Sequence, residues 1–242
     1  MPHVRPTLLP LLGALLLAWP AAAQAQRLSV DAVADGFRKT VFGVEYGGPF
    51  GLRAPYMRRF ERPVDVYVRS TARKRGRRAR VVSFLRYLDS TVGPLRIRIT
   101  NDPAAADLAV YVVDRKDYAT TVRNDVFRSR FTPVRGRCVV RSQFTRDGIS
   151  RSSAVIVSDE GEALFRRCMA EEIMQALGPL RDDPSLGRSM FNDRTRFTAP
   201  QRFDLLILRV LYDPRLQSGM TQDEVEPLLR PLVRRAMRAI PP

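Results

Sequence analysis

The sequence predicts an α+β domain, a mixed sheet backed by helices with a helical C-terminal part. Three observations carry that expectation. Val64-Asp-Val66-Tyr-Val68 alternates apolar and polar residues, and Leu95-Arg-Ile97-Arg-Ile99 and Leu108-Ala-Val110-Tyr-Val112 repeat the pattern, as half-buried strands do. Between the first two, Val81, Val82, Phe84, Leu85, Leu88 and Val92 recur at helical spacing. From residue 160 onward the periodicity turns helical, over 160–178, about 199–212 and 221–238.

Taken in order, residues 1–25 read as a cleaved secretory signal peptide. Arg5 supplies the positive start, Leu8 to Trp19 the apolar run, and Ala23-Gln24-Ala25 the small-x-small cleavage pattern. The run is too short to span a bilayer, which takes ~18 residues or more. The mature chain then begins at Gln26 or Arg27 and forms one domain over 27–242, exported, soluble and periplasmic. No cysteine stands at the cleavage point, so it is not expected to be a lipoprotein, and no later run predicts a membrane span. Leu28, Val30, Val33, Phe37, Val41 and Phe42 predict an opening helix, and a Gly/Pro-rich loop from Gly47 to Pro55 follows. Residues 114–136 are polar and ambiguous. Cys138-Val-Val140 and Ala154-Val-Ile-Val157 read as short strands, and Thr221-Gln-Asp-Glu224 as a capping box opening the last helix.

Composition removes several chemistries. The chain has 242 residues, 41 Lys+Arg against 25 Asp+Glu, and one histidine. That histidine is His3, inside the expected leader, so the mature chain carries no imidazole. Ser-His-Asp and Cys-His catalysis, the usual zinc sites and histidine pH switching are excluded, and no cofactor or metal is expected. Cys138 and Cys168 are the only cysteines. An even pair in an exported chain is most simply one disulfide, the rival reading being two buried free thiols.

The most structured segment is Cys168-Met-Ala-Glu171-Glu172-Ile-Met-Gln175-Ala-Leu-Gly178-Pro-Leu-Arg181-Asp182-Asp183. On a helix Glu171 and Gln175 share a face, Glu172 sits beside them, and Gly178 is a plausible stop. Taken blandly, this is an exposed polar face with a glycine cap. Leu164, Ile173 and Leu177 read as the core face, with Met174 open between core and surface.

The segment resembles the zincin helix His-Glu-x-x-His-x-x-Gly-x-x-His of metzincin-type proteases. Glu171, Gln175 and Arg181 stand at the ligand positions, Glu172 at the general base and Gly178 at the glycine. Ser189-Met190-Phe191 resembles the Met-turn, and Phe197 to Asp204 with Leu211-Tyr212 is similar to the closing helix of matrixin-like domains. Glu-Glu-x-x-Gln-x-Leu-Gly, Ser-Met-Phe-Asn-Asp193 and Leu-Tyr-Asp-Pro…Gly-Met220, over about 160–222, look like exported proteobacterial proteins labelled domain of unknown function 2927. The resemblance implies a zincin-like, metzincin-like scaffold that has lost its metal. A carboxylate binds zinc, an amide does so poorly, and a guanidinium opposes it. Cys168, three residues before Glu171, would staple that helix to a strand if bonded to Cys138.

The net charge is +16, or +15 without Arg5, and 38 of the basic residues are arginine. Arg73, Lys74, Arg75, Arg77, Arg78 and Arg80 cluster around Gly76 as a candidate anion site for lipid headgroups, anionic polymers or acidic proteins. Export argues against nucleic acid, and the arginine excess also fits a codon bias acting on the whole chain. Three functions follow. The first is a non-catalytic binding or assembly domain with an envelope protein as partner. The second is a hydrolase centred on Glu172 that uses a non-zinc cation held by Glu171, Glu172, Asp182, Asp183 and Asp193. The third is an anionic-surface binder working through residues 73–80.

Overall fold

The computed structural model describes residues 28–42 and 56–242; the expected leader and the Gly47–Pro55 loop lie outside them. Strands β1 (Val64–Ser70), β2 (Ile97–Thr100), β3 (Leu108–Val113) and β5 (Gly148–Val157) run parallel, and β4 (Cys138–Thr145) pairs antiparallel with β5. The order is β2-β1-β3-β5-β4, which leaves β4 at one edge. The mixed sheet with flanking helices is the expected α+β arrangement.

Helix α2 (Arg77–Val92) makes the crossover that two parallel neighbours require, and it packs Val81, Leu85, Leu88 and Val92 inward. Helix α4 (Glu162–Ala176) follows β5 and covers the same face of the sheet, with Phe165, Ile173 and Leu177 fully buried. Helices α1 (Val30–Val41), α5 (Arg202–Leu211) and α6 (Gln222–Ala239) complete this layer. The opposite face is covered by α3 (Arg115–Thr121) and a π-helical segment, Val122–Phe127.

The capping box on α6 forms as expected: the Thr221 hydroxyl accepts from the Glu224 N–H at 3.3 Å, and the Thr221 N–H donates to Glu224 at 2.7 Å. Helix α6 also carries Pro227 and Pro231, both on its exposed side, where the carbonyls they leave unbonded meet water.

Four expectations need correction. The strand β3 is buried at all six positions, not half-buried, because helices close both faces over it. The β4–β5 pair is far longer than Cys138–Val140 and Ala154–Val157. Its outer halves are serine- and arginine-rich, and there the two strands satisfy each other's backbone rather than filling the core. Helix α2 begins at Arg77, four residues before its apolar stripe, with Gly76 as N-cap at φ +81°. The ambiguous 114–136 stretch folds into α3 and the π-helical segment, held by Tyr118, Val122 and Val126 in a second core.

Candidate functional site

The motif-like segment lies on α4, between two anchors. At its start, Glu162 receives Arg77 at 2.7 Å, Lys74 at 3.4 Å, and Arg80. Burial pushes the Glu162 carboxyl up, but the Arg77 bond and the Arg77 and Arg80 charges outweigh it and hold the group below the usual carboxylate range. Midway, Cys168 bonds to Cys138, with Cα atoms 5.7 Å apart, so the disulfide expected from the cysteine count ties α4 to the edge strand β4. At the far end the Ser152 hydroxyl of β5 donates to the Ala176 carbonyl at 2.9 Å, and the Tyr212 hydroxyl donates to that of Leu177 at 2.8 Å. These side chains satisfy carbonyls that a helix end otherwise leaves open. Gly178 then turns the chain at φ +137°, where a Cβ would come within 2.7 Å of the Arg58 carbonyl and 2.6 Å of Leu211. Glycine is required there twice, by conformation and by space.

The polar residues of α4 are not an exposed face. Glu171 is 7 % exposed, Glu172 6 % and Gln175 2 %, and Met174 joins the core. The Gln175 amide donates to Asp182 at 2.9 Å, and Arg167 approaches Glu171 at 3.5 Å one turn away. Neither glutamate is free of interactions. From Cys168 to Ala176 the helix is buried on both its apolar and its polar sides, where Asp182, Met190 and Phe191 from beyond Gly178 join its surroundings.

Of the Met-turn-like residues, Met190 and Phe191 are fully buried in the same core as α4. The Asp204 side chain organises them, accepting from the Ser189 hydroxyl at 2.6 Å and the Met190 N–H at 3.1 Å. It also accepts from the Gln201 N–H at 2.7 Å, half of a capping box on α5. Burial pushes this carboxyl up to about 6 against those three bonds.

The ligand-position residues face protein partners. Gln175 is engaged with Asp182, and Arg181 is half-buried beside Asp183. Asp183 instead accepts from the Ser185 hydroxyl at 2.6 Å and N–H at 2.9 Å, and those bonds hold it below the usual range. Asp193 is exposed. Among the described residues, no three His, Cys, Asp or Glu side chains gather to hold a metal ion, so the proposed carboxylate set is not brought together. A donor set of carboxylate, engaged amide and guanidinium does not fit zinc.

Of the six basic residues only Arg77 is buried, and the other five are exposed. Arg77 is 2 % exposed, donates to the Ser158 carbonyl at 2.7 Å and stacks on Phe165 at 3.8 Å. Arg73 bonds the buried Asp114 at 2.9 Å, and Arg78 the Val68 carbonyl at 3.1 Å. Only Arg75 of the six has no such bond among the described residues. Lys74, Arg75, Arg77 and Arg78 line a cavity of about 560 Å³ at the start of α2.

Sequence reasoning passed over Arg58 and Arg59. Arg58 is 1 % exposed, stacks on Phe144 at 4.3 Å, and burial lowers its guanidinium to about 10. Arg59 donates to the Leu211 and Asp213 carbonyls at 2.9 and 3.1 Å. Their placement between Met57 and Phe60, both buried, was the available signal.

A larger groove, about 620 Å³, runs beside the edge strand. It is lined by Val122, Phe127, Val134, Val139 and Phe144, with Leu180 from just beyond the Gly178 turn. The bond from the Val157 N–H to the Arg137 carbonyl sets the ladder's alternation. It turns the N–H and C=O groups of Val140 and Ser142 away from β5, toward the open edge.

Together these features define a mixed α+β protein whose motif helix is a core element and whose larger groove lies along the sheet edge. Residues 31–231 match the model of the family described as protein of unknown function (DUF2927), and the chain belongs to that family. No curated protein matches it.

Proposed function

We propose that the protein is a non-catalytic binding domain on a zincin-like scaffold, exported to the periplasm, that holds an extended polypeptide segment along β4. The observation that carries this reading is the pairing of an apolar groove with an unpaired strand edge. The outward groups of Val140 and Ser142 offer backbone bonds, and the groove offers side-chain pockets, the two needs of strand addition. Arg135 and Arg141 on the groove wall favour an acidic segment. The disulfide fits an oxidising compartment. Among the described residues no helix is long and apolar enough to cross a membrane.

The hydrolase alternative asks Glu172 to reach a substrate, and its burial speaks against that. The anion-binding alternative at residues 73–80 is the less favoured one, because Asp114 already binds Arg73 and Glu162 binds Lys74, Arg77 and Arg80. The test is selection of extended peptides from a displayed library on the purified protein, followed by Val140→Pro. Proline is tolerated on an edge whose N–H faces outward but cannot donate to an added strand. Peptides that bind the parent and lose at least about tenfold affinity for the variant support the reading; equal binding to both sinks it.

A further inference from the structure

The loop joining the π-helical segment to β4 has a second side that the groove does not use. Its tip is a turn closed by the Thr132 N–H donating to the Ser129 carbonyl at 3.2 Å, which puts Arg130 and Phe131 at the two central positions. Phe131 is 79 % exposed; the only other exposed large apolar side chain among the described residues is Tyr87, at 42 %. Neither Arg128, Arg130 nor Phe131 lines the groove.

This display is held in place rather than left loose. Arg123 donates to the Thr132 carbonyl at 3.2 Å, Arg115 to that of Gly136 at 2.7 Å, and the Tyr118 hydroxyl to that of Arg135 at 3.4 Å. Arg128 adopts φ +52°, the only non-glycine residue with positive φ among those described, and so turns the chain outward at the start of the loop.

The charge around the tip is one-signed. From Val126 to Arg146 the sequence contains six arginines and no carboxylate. Arg137 is answered by Glu160 at 2.9 Å, whereas Arg128, Arg130 and Arg135 have no ion-pair partner among the described residues. Arg130 lies over the Phe131 ring at 4.7 Å, so charge and ring are presented together. In residues 73–80, by contrast, Arg73 bonds Asp114 while Lys74, Arg77 and Arg80 share Glu162, so four of the six cations have a carboxylate partner.

We infer that the Ser129–Thr132 turn docks the protein on an anionic phospholipid surface, Phe131 entering the headgroup boundary and Arg128 and Arg130 meeting lipid phosphates. A convex tip with one protruding ring and unanswered cations suits a soft, negatively charged layer; a peptide would be received in the concave groove instead. Basic residues near such a surface each add severalfold to binding and are screened by salt. The docking goes beyond the binding reading and does not depend on it, since it uses the outer side of the loop.

The test uses the processed full chain and two vesicle types, phosphatidylcholine with and without phosphatidylglycerol. Phe131→Trp should shift its emission to the blue only with the anionic vesicles, and salt should reverse the shift. Phe131→Ser should weaken co-sedimentation about tenfold, and Arg128→Ser with Arg130→Ser by about twenty-five-fold. Arg75→Ser, on the other basic run, should leave it unchanged. An emission that does not move, or binding indifferent to the loop variants, overturns the inference. So does a shift produced by soluble polyglutamate and not by vesicles, which would assign the tip to an acidic protein.

Discussion

Asp204 is a carboxylate buried among three donors, and its displaced titration makes a prediction with a definite sign. Its folded value of about 6 lies above that of a free aspartate. Between about pH 4 and pH 6 the folded chain therefore holds a proton that the unfolded chain has lost. Stability from this group is full below that window and declines as pH rises through it, by about 3 kcal/mol at most. Carboxylates held low, such as Asp114 and Glu162, push the other way, so the comparison must be with Asp204→Asn. Urea unfolding of both proteins across that range should show the parent losing stability relative to the variant as pH rises; parallel curves would refute the assignment. The basic run gives a second contrast. Arg77→Leu removes a donor from the buried Ser158 carbonyl and a cation from the face of Phe165, and should cost about 2–4 kcal/mol. Arg75→Ser should stay within about 0.5 kcal/mol. Equal effects at the two positions would mean that the run is a surface feature after all. Residue types alone could not separate Arg77 from Arg75, because burial depends on where α4 brings Glu162.

At the level of elements, local pattern carried the account where one face of an element meets the core. The alternation of Val64 to Val68 and the apolar stripes of α1, α2, α5 and α6 were legible for that reason. Legibility failed where tertiary partners decide the environment. Strand β3 gains its second buried face from α3, and β4 extends through Arg141-Ser142-Gln143 because β5 lies alongside. The polar side of α4 is buried where Asp182, Met190 and Phe191 join its surroundings. The disulfide is the clearest case of a short signal with long reach, since two cysteines 30 residues apart join the edge strand to the motif helix. Replacing both Cys138 and Cys168 with serine should lower stability by about 3–4 kcal/mol on a chain-entropy basis. It should also speed amide exchange in β4 and α4 before α6, as measured by mass spectrometry. Uniform exchange across the three elements would show that the bond does not anchor the motif helix.

For the whole molecule, the sequence made the sheet-and-helix class and the single histidine visible, and family membership over residues 31–231 agrees with the resemblance to that family read from Glu171 to Gly178. What it concealed was where the open surfaces lie. Much of 171–183 folds inward, and Arg77 with it, while the groove and the protruding turn are built mostly from the ambiguous stretch 114–136 and the strand β4 that follows it. The central claim is that this chain binds a polypeptide and does not cut it. It is tested most directly by incubating a groove-binding peptide with the protein, in the presence of Ca²⁺ and Mg²⁺, and weighing the peptide by mass spectrometry. The account predicts an intact peptide whose affinity is lost with Val140→Pro and kept with Glu172→Gln. Fragments that accumulate with the parent protein and vanish with Glu172→Gln would contradict it.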